Sequence, residues 1–123
     1  MYIEIDFHSD EAIYVQLCNQ IILGIATAKM REGDQLPSVR QLAGDVGVNM
    51  HTVNKAYAIL QQEGFVKIDR RRGAVIALDI DKLRAMEALR EELMPSLARA
   101  ICRNITREEA HHMVDSIYDH WRI

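Results

Sequence analysis

Apolar and polar positions along the chain change period several times, and each change marks an element. Residues 2–7, Tyr-Ile-Glu-Ile-Asp-Phe, alternate one by one, which predicts a short strand or an extended arm. From Ala12 the spacing lengthens. Ile13, Leu17, Ile21, Ile25 and Ala28 recur every three or four residues, predicting a helix to about residue 30 with Ser9 or Asp10 as its N-cap. "REGDQLP" ends it. Ser38 opens Ser-Val-Arg-Gln, the S-x-x-Q form of a capping box, in which the hydroxyl accepts from the Gln41 amide while the Gln side chain reaches back. A short second helix over about 39–45 follows. Gly47 supplies the backbone freedom for a tight turn. Asn49 then caps a third helix whose buried stripe is Val53, Ala56, Tyr57 and Leu60, and which Gly64 stops.

Beyond Gly64, "FVKID" and "AVIAL" are β-prone runs separated by "RRRG", the pattern of a hairpin with a basic tip. Three helices and a hairpin make a winged helix-turn-helix over residues 1–79. The turn around Gly47 holds two helices across each other so that the second can be offered to a groove. Its polar start, Asn49, Met50, His51, Thr52, Asn54 and Lys55, is then the reading surface. Taken singly, each of these also fits a solvated helix face, and Thr52 adjoins Val53 on the buried side.

Residues 80–123 form a second, helical unit, so the fold class is mainly α with a small β-hairpin. Leu83, Met86, Leu89, Leu93, Leu97, Ile101 and Ile105 recur at helical spacing, with Pro95 among them. Proline removes a backbone donor and disfavours α geometry at Met94, which predicts a kink or a break. Thr106 with Glu109 makes another capping box, and Ala110, Met113, Val114, Ile117 and Trp121 form the inner stripe of a last helix. Helices of this length expose more apolar surface than they can cover alone. A second copy of the chain is the expected cover, through Leu83, Met86, Leu93, Leu97, Ile101, Met113, Ile117 and Trp121.

Composition narrows the class. A chain of 123 residues with 49% apolar and 27% charged residues is a globular domain with an appendage, and disordered and collagen-like classes drop out. The longest apolar runs, such as "IILGIATA" at 21–28, fall short of the roughly 18 to 20 residues a spanning helix needs, so no membrane passage is expected. The acidic, alternating N-terminus lacks the basic start and apolar stretch of a signal peptide, which places the chain in the cytoplasm. Cys18 and Cys102 lie far apart and fall in helices, where reduced thiols without a chemical role are expected. The net charge of −3 counts against a polyanionic partner. Between Gln35 and Gly73, however, six basic residues face three acidic ones, so the acidity sits in the two ends.

At "QLPSVRQLAGDVGVN" followed by "TVNKAYAILQQEGFV" the sequence resembles the GntR family of bacterial transcription factors, over about residues 10–78. The short helical tail is similar to that of the YtrA subfamily. The resemblance implies homodimeric cytoplasmic repressors of double-stranded DNA, often beside transporter operons, and leaves the effector unknown. It places Arg40, the helix-start residues Asn49, Met50, His51, Thr52 and Asn54, and Gly73 with its preceding arginines on DNA-contacting positions. Three departures stand out. Ala12 replaces a usual Pro. Met50 stands where many members have a polar or basic side chain, and its thioether suits a thymine methyl better than a base-edge hydrogen bond. The wing reads Arg71-Arg72-Gly73-Ala74-Val75-Ile76 in place of Gly-x-Gly-Thr-Phe-Val.

Sorted by chemistry, Arg40, Lys55, Arg70, Arg71 and Arg72 are charge donors for phosphate, and Arg40 can alternatively read a guanine with its planar fork. Ser38, Asn49, His51, Thr52 and Asn54 are base or backbone partners. Two alternatives remain. One is a winged helix used for protein contact. The other is metal sensing through His111, His112, Asp115, Asp119 and His120 on the last helix, against which stands the lack of a third donor in register. No phosphate-cradling Gly loop, nucleophile elbow or carboxylate pair supports an enzyme, and no cofactor or metal is expected.

Overall fold

A computed structural model describes residues 2–123. Its elements run α1 (Ile13–Ala26), α2 (Val39–Val46), α3 (Met50–Gln62), β1 (Val66–Asp69), β2 (Gly73–Ile76), α4 (Lys82–Cys102) and α5 (Arg107–Trp121). They fall into two units, one ending at Asp79 and the other covering Ile80–Ile123. The first is a winged helix-turn-helix.

In that first unit α3 is the hub, packing against α1, α2 and β1. Its stripe Val53, Ala56, Tyr57 and Leu60 is buried, as are Leu17 and Ile21 of α1, Leu42 and Ala43 of α2, and Val66 and Ile76 of the strands. Full burial of a side chain the size of Leu17, Ile21 or Leu60 stabilises the fold by about 1.5–3 kcal/mol. Cys18 lies in the same core, its Sγ 3.4 Å from the Ala56 carbonyl, and burial pushes its thiol pKa up. It is a packing residue joining α1 to α3.

The first helix is shorter than its periodicity predicts. Ala12 is its N-cap without a side-chain bond, while Ser9 Oγ accepts from the Glu11 amide instead. At the other end Ala28 lies outside the helix, exposed, with φ 61°. Residues 2–6 form an arm without regular secondary structure and Phe7 enters a turn; among the described residues the arm pairs with no strand. Side-chain amides of α1 take the place of a neighbouring strand: Gln16 Oε1 accepts from the Asp6 amide and its Nε2 donates to the Asp6 carbonyl, at 2.9 and 3.0 Å. Gln20 does the same for both backbone groups of Glu4. These bonds satisfy the arm's polar groups and let Ile3 and Ile5 rest on the core.

The strands pair antiparallel in the register Val66↔Ile76 to Asp69↔Gly73. The "REGDQLP" loop does more than end α1. Gly33 donates to the Ile76 carbonyl at 2.8 Å, Ile76 to Asp34 at 2.9 Å, and Leu36 to Ala74 at 2.8 Å, so this segment runs along the outer edge of β2 and covers it.

The second unit contains α4 and α5, joined through Arg103 to Thr106. α4 passes through Pro95 as one helix, so the sequence-based break does not occur. Its residues around Glu91 are exposed, and a carbonyl deprived of its partner there is open to water. Ser96 Oγ also donates to the Glu92 carbonyl at 3.4 Å, adding a bond in the same turn. α5 begins with a complete capping box: Glu109 N donates to Thr106 Oγ1 at 3.1 Å, and Thr106 N to Glu109 Oε1 at 2.9 Å. The Thr106 amide bond holds the Glu109 carboxyl below the usual carboxylate range. Neither helix carries a buried residue. Among the described residues, no helix is long and apolar enough to cross a membrane.

Candidate nucleic-acid interface

The helix-turn-helix is built by three local devices. Ser38 caps α2, accepting from the Gln41 amide at 3.1 Å; this is the hydroxyl half of the box read in the sequence. Gly47 ends α2 at φ 78°, a left-handed conformation that costs a side chain of L configuration, and donates to the Ala43 carbonyl at 2.9 Å. Two residues later Asn49 caps α3 through His51 N at 2.7 Å. A fourth device is tertiary. The Tyr57 hydroxyl donates to the Pro37 carbonyl at 2.7 Å and so ties the middle of α3 to the residue before Ser38. Burial pushes the Tyr57 phenol pKa far up, so it stays a donor at any working pH.

The wing is a hairpin with Arg70, Arg71 and Arg72 at its tip. Asp69 Oδ1 accepts from the amides of Arg71 and Arg72 at 2.7 and 3.2 Å, and these bonds hold the Asp69 carboxyl below the usual carboxylate range. Gly73 then turns back at φ 73°, so the Gly that the wing keeps is the one its backbone requires. The Arg72 guanidinium donates to the Gly33 carbonyl at 2.6 Å.

An open groove of about 450 Å³ runs between these pieces. Pro37, Ser38 and Val39 at the start of α2, Asn54, Tyr57, Ala58 and Gln61 of α3, and Ile68, Gly73 and Ala74 of the hairpin line it. It brings together Ser38, Asn54 and Gly73, three of the residues singled out in the sequence. Arg40, Asn49, Met50 and His51 are exposed around the start of α2 and α3, and Thr52 is half-buried. Lys55 turns to the opposite flank of α3, its Nζ 3.9 Å from the centre of the Tyr14 ring, a cation–π contact. The sequence reading missed Gln61 and Ile68 on this groove. Gln61 lies two helical turns beyond Asn54 on one face, a spacing that was there to be read.

On α5, His111, His112, Asp115, Asp119 and His120 are exposed. Among the described residues no group of three or more His, Cys, Asp or Glu side chains is placed to hold a metal ion.

A capped helix with an exposed polar start, set across a shorter helix and flanked by an arginine-tipped hairpin, defines a winged-helix DNA-binding protein. Residues 11–76 match the family described as bacterial regulatory proteins, gntR family, and the chain belongs to it: it is a DNA-binding transcriptional regulator and not an enzyme. It is 32% identical over 118 residues to the transcriptional repressor YtrA of Bacillus subtilis, covering 94% of this chain and 91% of that one. Among solved structures it is similar to YtrA of Sulfolobus acidocaldarius, at 37% identity, 96% and 97% coverage and a TM-score of 0.60. A transcriptional antiterminator from Listeria monocytogenes matches with a TM-score of 0.87, at 26% identity over 98% of this chain and 92% of that one.

Proposed function

We propose that the chain is a cytoplasmic repressor that binds an imperfectly palindromic operator as a homodimer. The observation that carries the reading is the groove, where α2, α3 and the wing contribute Ser38, Asn54 and Gly73 to one concavity beside the exposed start of α3. In this reading α3 enters the major groove, where Asn54 has the paired donor and acceptor that suit adenine, Met50 meets a thymine methyl, and Arg40 forks onto guanine or a phosphate. Asn49, His51 and Thr52 complete the contacts from the first turn of α3, whereas Lys55 is held on the Tyr14 ring. The wing lies over the flanking backbone and brings positive charge to it.

Dimerisation is supported by the second unit, where Leu83, Met86, Leu93, Leu97, Ile101, Met113 and Ile117 are all exposed and Trp121 is half-buried. An apolar surface of that extent calls for cover, and a two-fold copy supplies it with the same stripe. The repressor role is supported by the name of the Bacillus subtilis relative, and an operator before a transporter operon is what the sequence resemblance to the YtrA subfamily implies.

Selection of duplexes from a random pool by the purified chain tests the reading. Enrichment of an inverted repeat with half-sites about one DNA turn apart is expected. Enrichment of single half-sites alone would remove the dimeric operator. Absence of any enriched duplex at low salt, together with capture of a protein partner, would favour a winged helix used for protein contact.

A further inference from the structure

We propose that Arg72 is a positioning residue for DNA binding: its guanidinium ties the wing tip to the Gly33 carbonyl and so sets where Arg70 and Arg71 point, without meeting a phosphate itself. The inference rests on the DNA-binding reading of the wing and divides the work among its three arginines.

Arg72 Nη2 donates to Gly33 at 2.6 Å across 39 residues of sequence. The acceptor is itself anchored, because the Gly33 amide donates to Ile76 of β2 at 2.8 Å. The bond therefore closes a bridge from the wing tip to the base of the same sheet. A charged donor on a carbonyl is stronger than a neutral one, so the bond favours keeping the Arg72 guanidinium over Gly33. The wing backbone is fixed from its other side by Asp69, whose carboxylate accepts from the Arg71 and Arg72 amides at 2.7 and 3.2 Å. Among the described residues the guanidinium groups of Arg70 and Arg71 have no protein acceptor, and both are exposed. The tip thus ties one arginine to the neighbouring loop and leaves the guanidinium groups of the other two for a ligand. Holding a short loop in its bound shape before binding removes part of the ordering cost of association.

A phosphate contact and a positioning contact differ in how they combine with their neighbours. Operator affinity is measured across a salt series for the parent, Arg72→Ala, Arg70→Ala/Arg71→Ala, and the triple variant, where all four still bind. The expected result is that Arg72→Ala alone weakens binding about three- to tenfold, the scale of one or two side chains losing their order. On the Arg70→Ala/Arg71→Ala background, which itself flattens the log–log salt slope by about two units, Arg72→Ala then costs nothing more and leaves the slope unchanged. Amide exchange at Arg71 and Arg72 rises in Arg72→Ala.

An equal loss in both backgrounds with a further unit of slope would make Arg72 a direct phosphate contact and overturn the proposal. Unchanged affinity of Arg72→Ala, or unchanged amide exchange, would overturn it as well. Each of these outcomes leaves the proposed function standing. A parent chain that binds no duplex DNA removes both.

Discussion

Leu60 and Leu97 are the same side chain in two helices of one protein, and they meet opposite surroundings. Leu60, on α3, is 0% exposed among α1, α2 and the hairpin; Leu97, on α4, is 43% exposed in a stripe with Leu93, Met94 and Ile101. The first unit closes its own core, whereas the second leaves its apolar positions open along a concave strip of about 540 Å³ on one face of α4. Helical periodicity of apolar residues therefore means two things in this chain. In residues 13–60 it records packing already made within the fold. In residues 83–117 it records surface that a second copy, in the proposed dimer, would bury.

The comparison breaks most sharply in the tail. Replacing Leu93 and Leu97 together with Glu should turn the proposed dimer into a monomer and lower operator affinity by about 100-fold or more, since linked half-sites gain by effective concentration. Melting of the first unit should not change. Truncation after Asp79 should likewise give a folded monomer. Sedimentation decides, and a double variant that remains dimeric would move the interface elsewhere.

Next in size is Leu60→Ala, expected to cost about 2–5 kcal/mol of folding stability because it opens a cavity in a closed core. Leu97→Ala should instead weaken self-association and leave the unfolding of the first unit where it was. Equal loss of stability from the two substitutions would erase the distinction between the units.

Arg40→Ala should cost about 1–3 kcal/mol on the selected operator if Arg40 reads a guanine, with selectivity relaxed at one base pair and the melting temperature unchanged. Competition binding against operators varied at each position locates the effect. An unchanged profile takes Arg40 off the reading surface.

The smallest effect concerns pH. The amides of Arg71 and Arg72 favour ionised Asp69, so its folded pKa lies below its unfolded value. The order it lends the wing is then fully present above the ordinary Asp range and is lost as pH falls through the depressed folded value. Amide exchange at Arg71 and Arg72 should be flat with pH in Asp69→Asn, after correction for intrinsic rates, and the wing of that variant should be looser at neutral pH. Identical protection in parent and variant would leave Asp69 without a part in ordering the turn.

Much of this was legible before the fold. Ser38, Asn49 and Thr106 cap the helices their sequence motifs announced, since a cap is a bond between residues two or three apart and needs nothing from the rest of the chain. The α3 stripe was legible too, because period alone separates a buried face from a wet one. Pro95 misled. Its local preference for a break yields where the residues one turn before it are exposed, so that water can take the carbonyl left without a partner.

By itself, then, the sequence determined the order and type of the elements, the turn at Gly47, the basic tip of the wing and the family, all of which depend on residues close together along the chain. Tertiary structure alone decided which charged groups are spoken for. Arg72 rests on Gly33 and Lys55 on Tyr14, while Gln16 and Gln20 stand in as a strand for the arm. It also decided that Ser38, Asn54 and Gly73 share a groove with Gln61. No spacing rule reaches these partners, because they are brought within bonding distance only when α3 docks on the core and the hairpin folds back along residues 33–36.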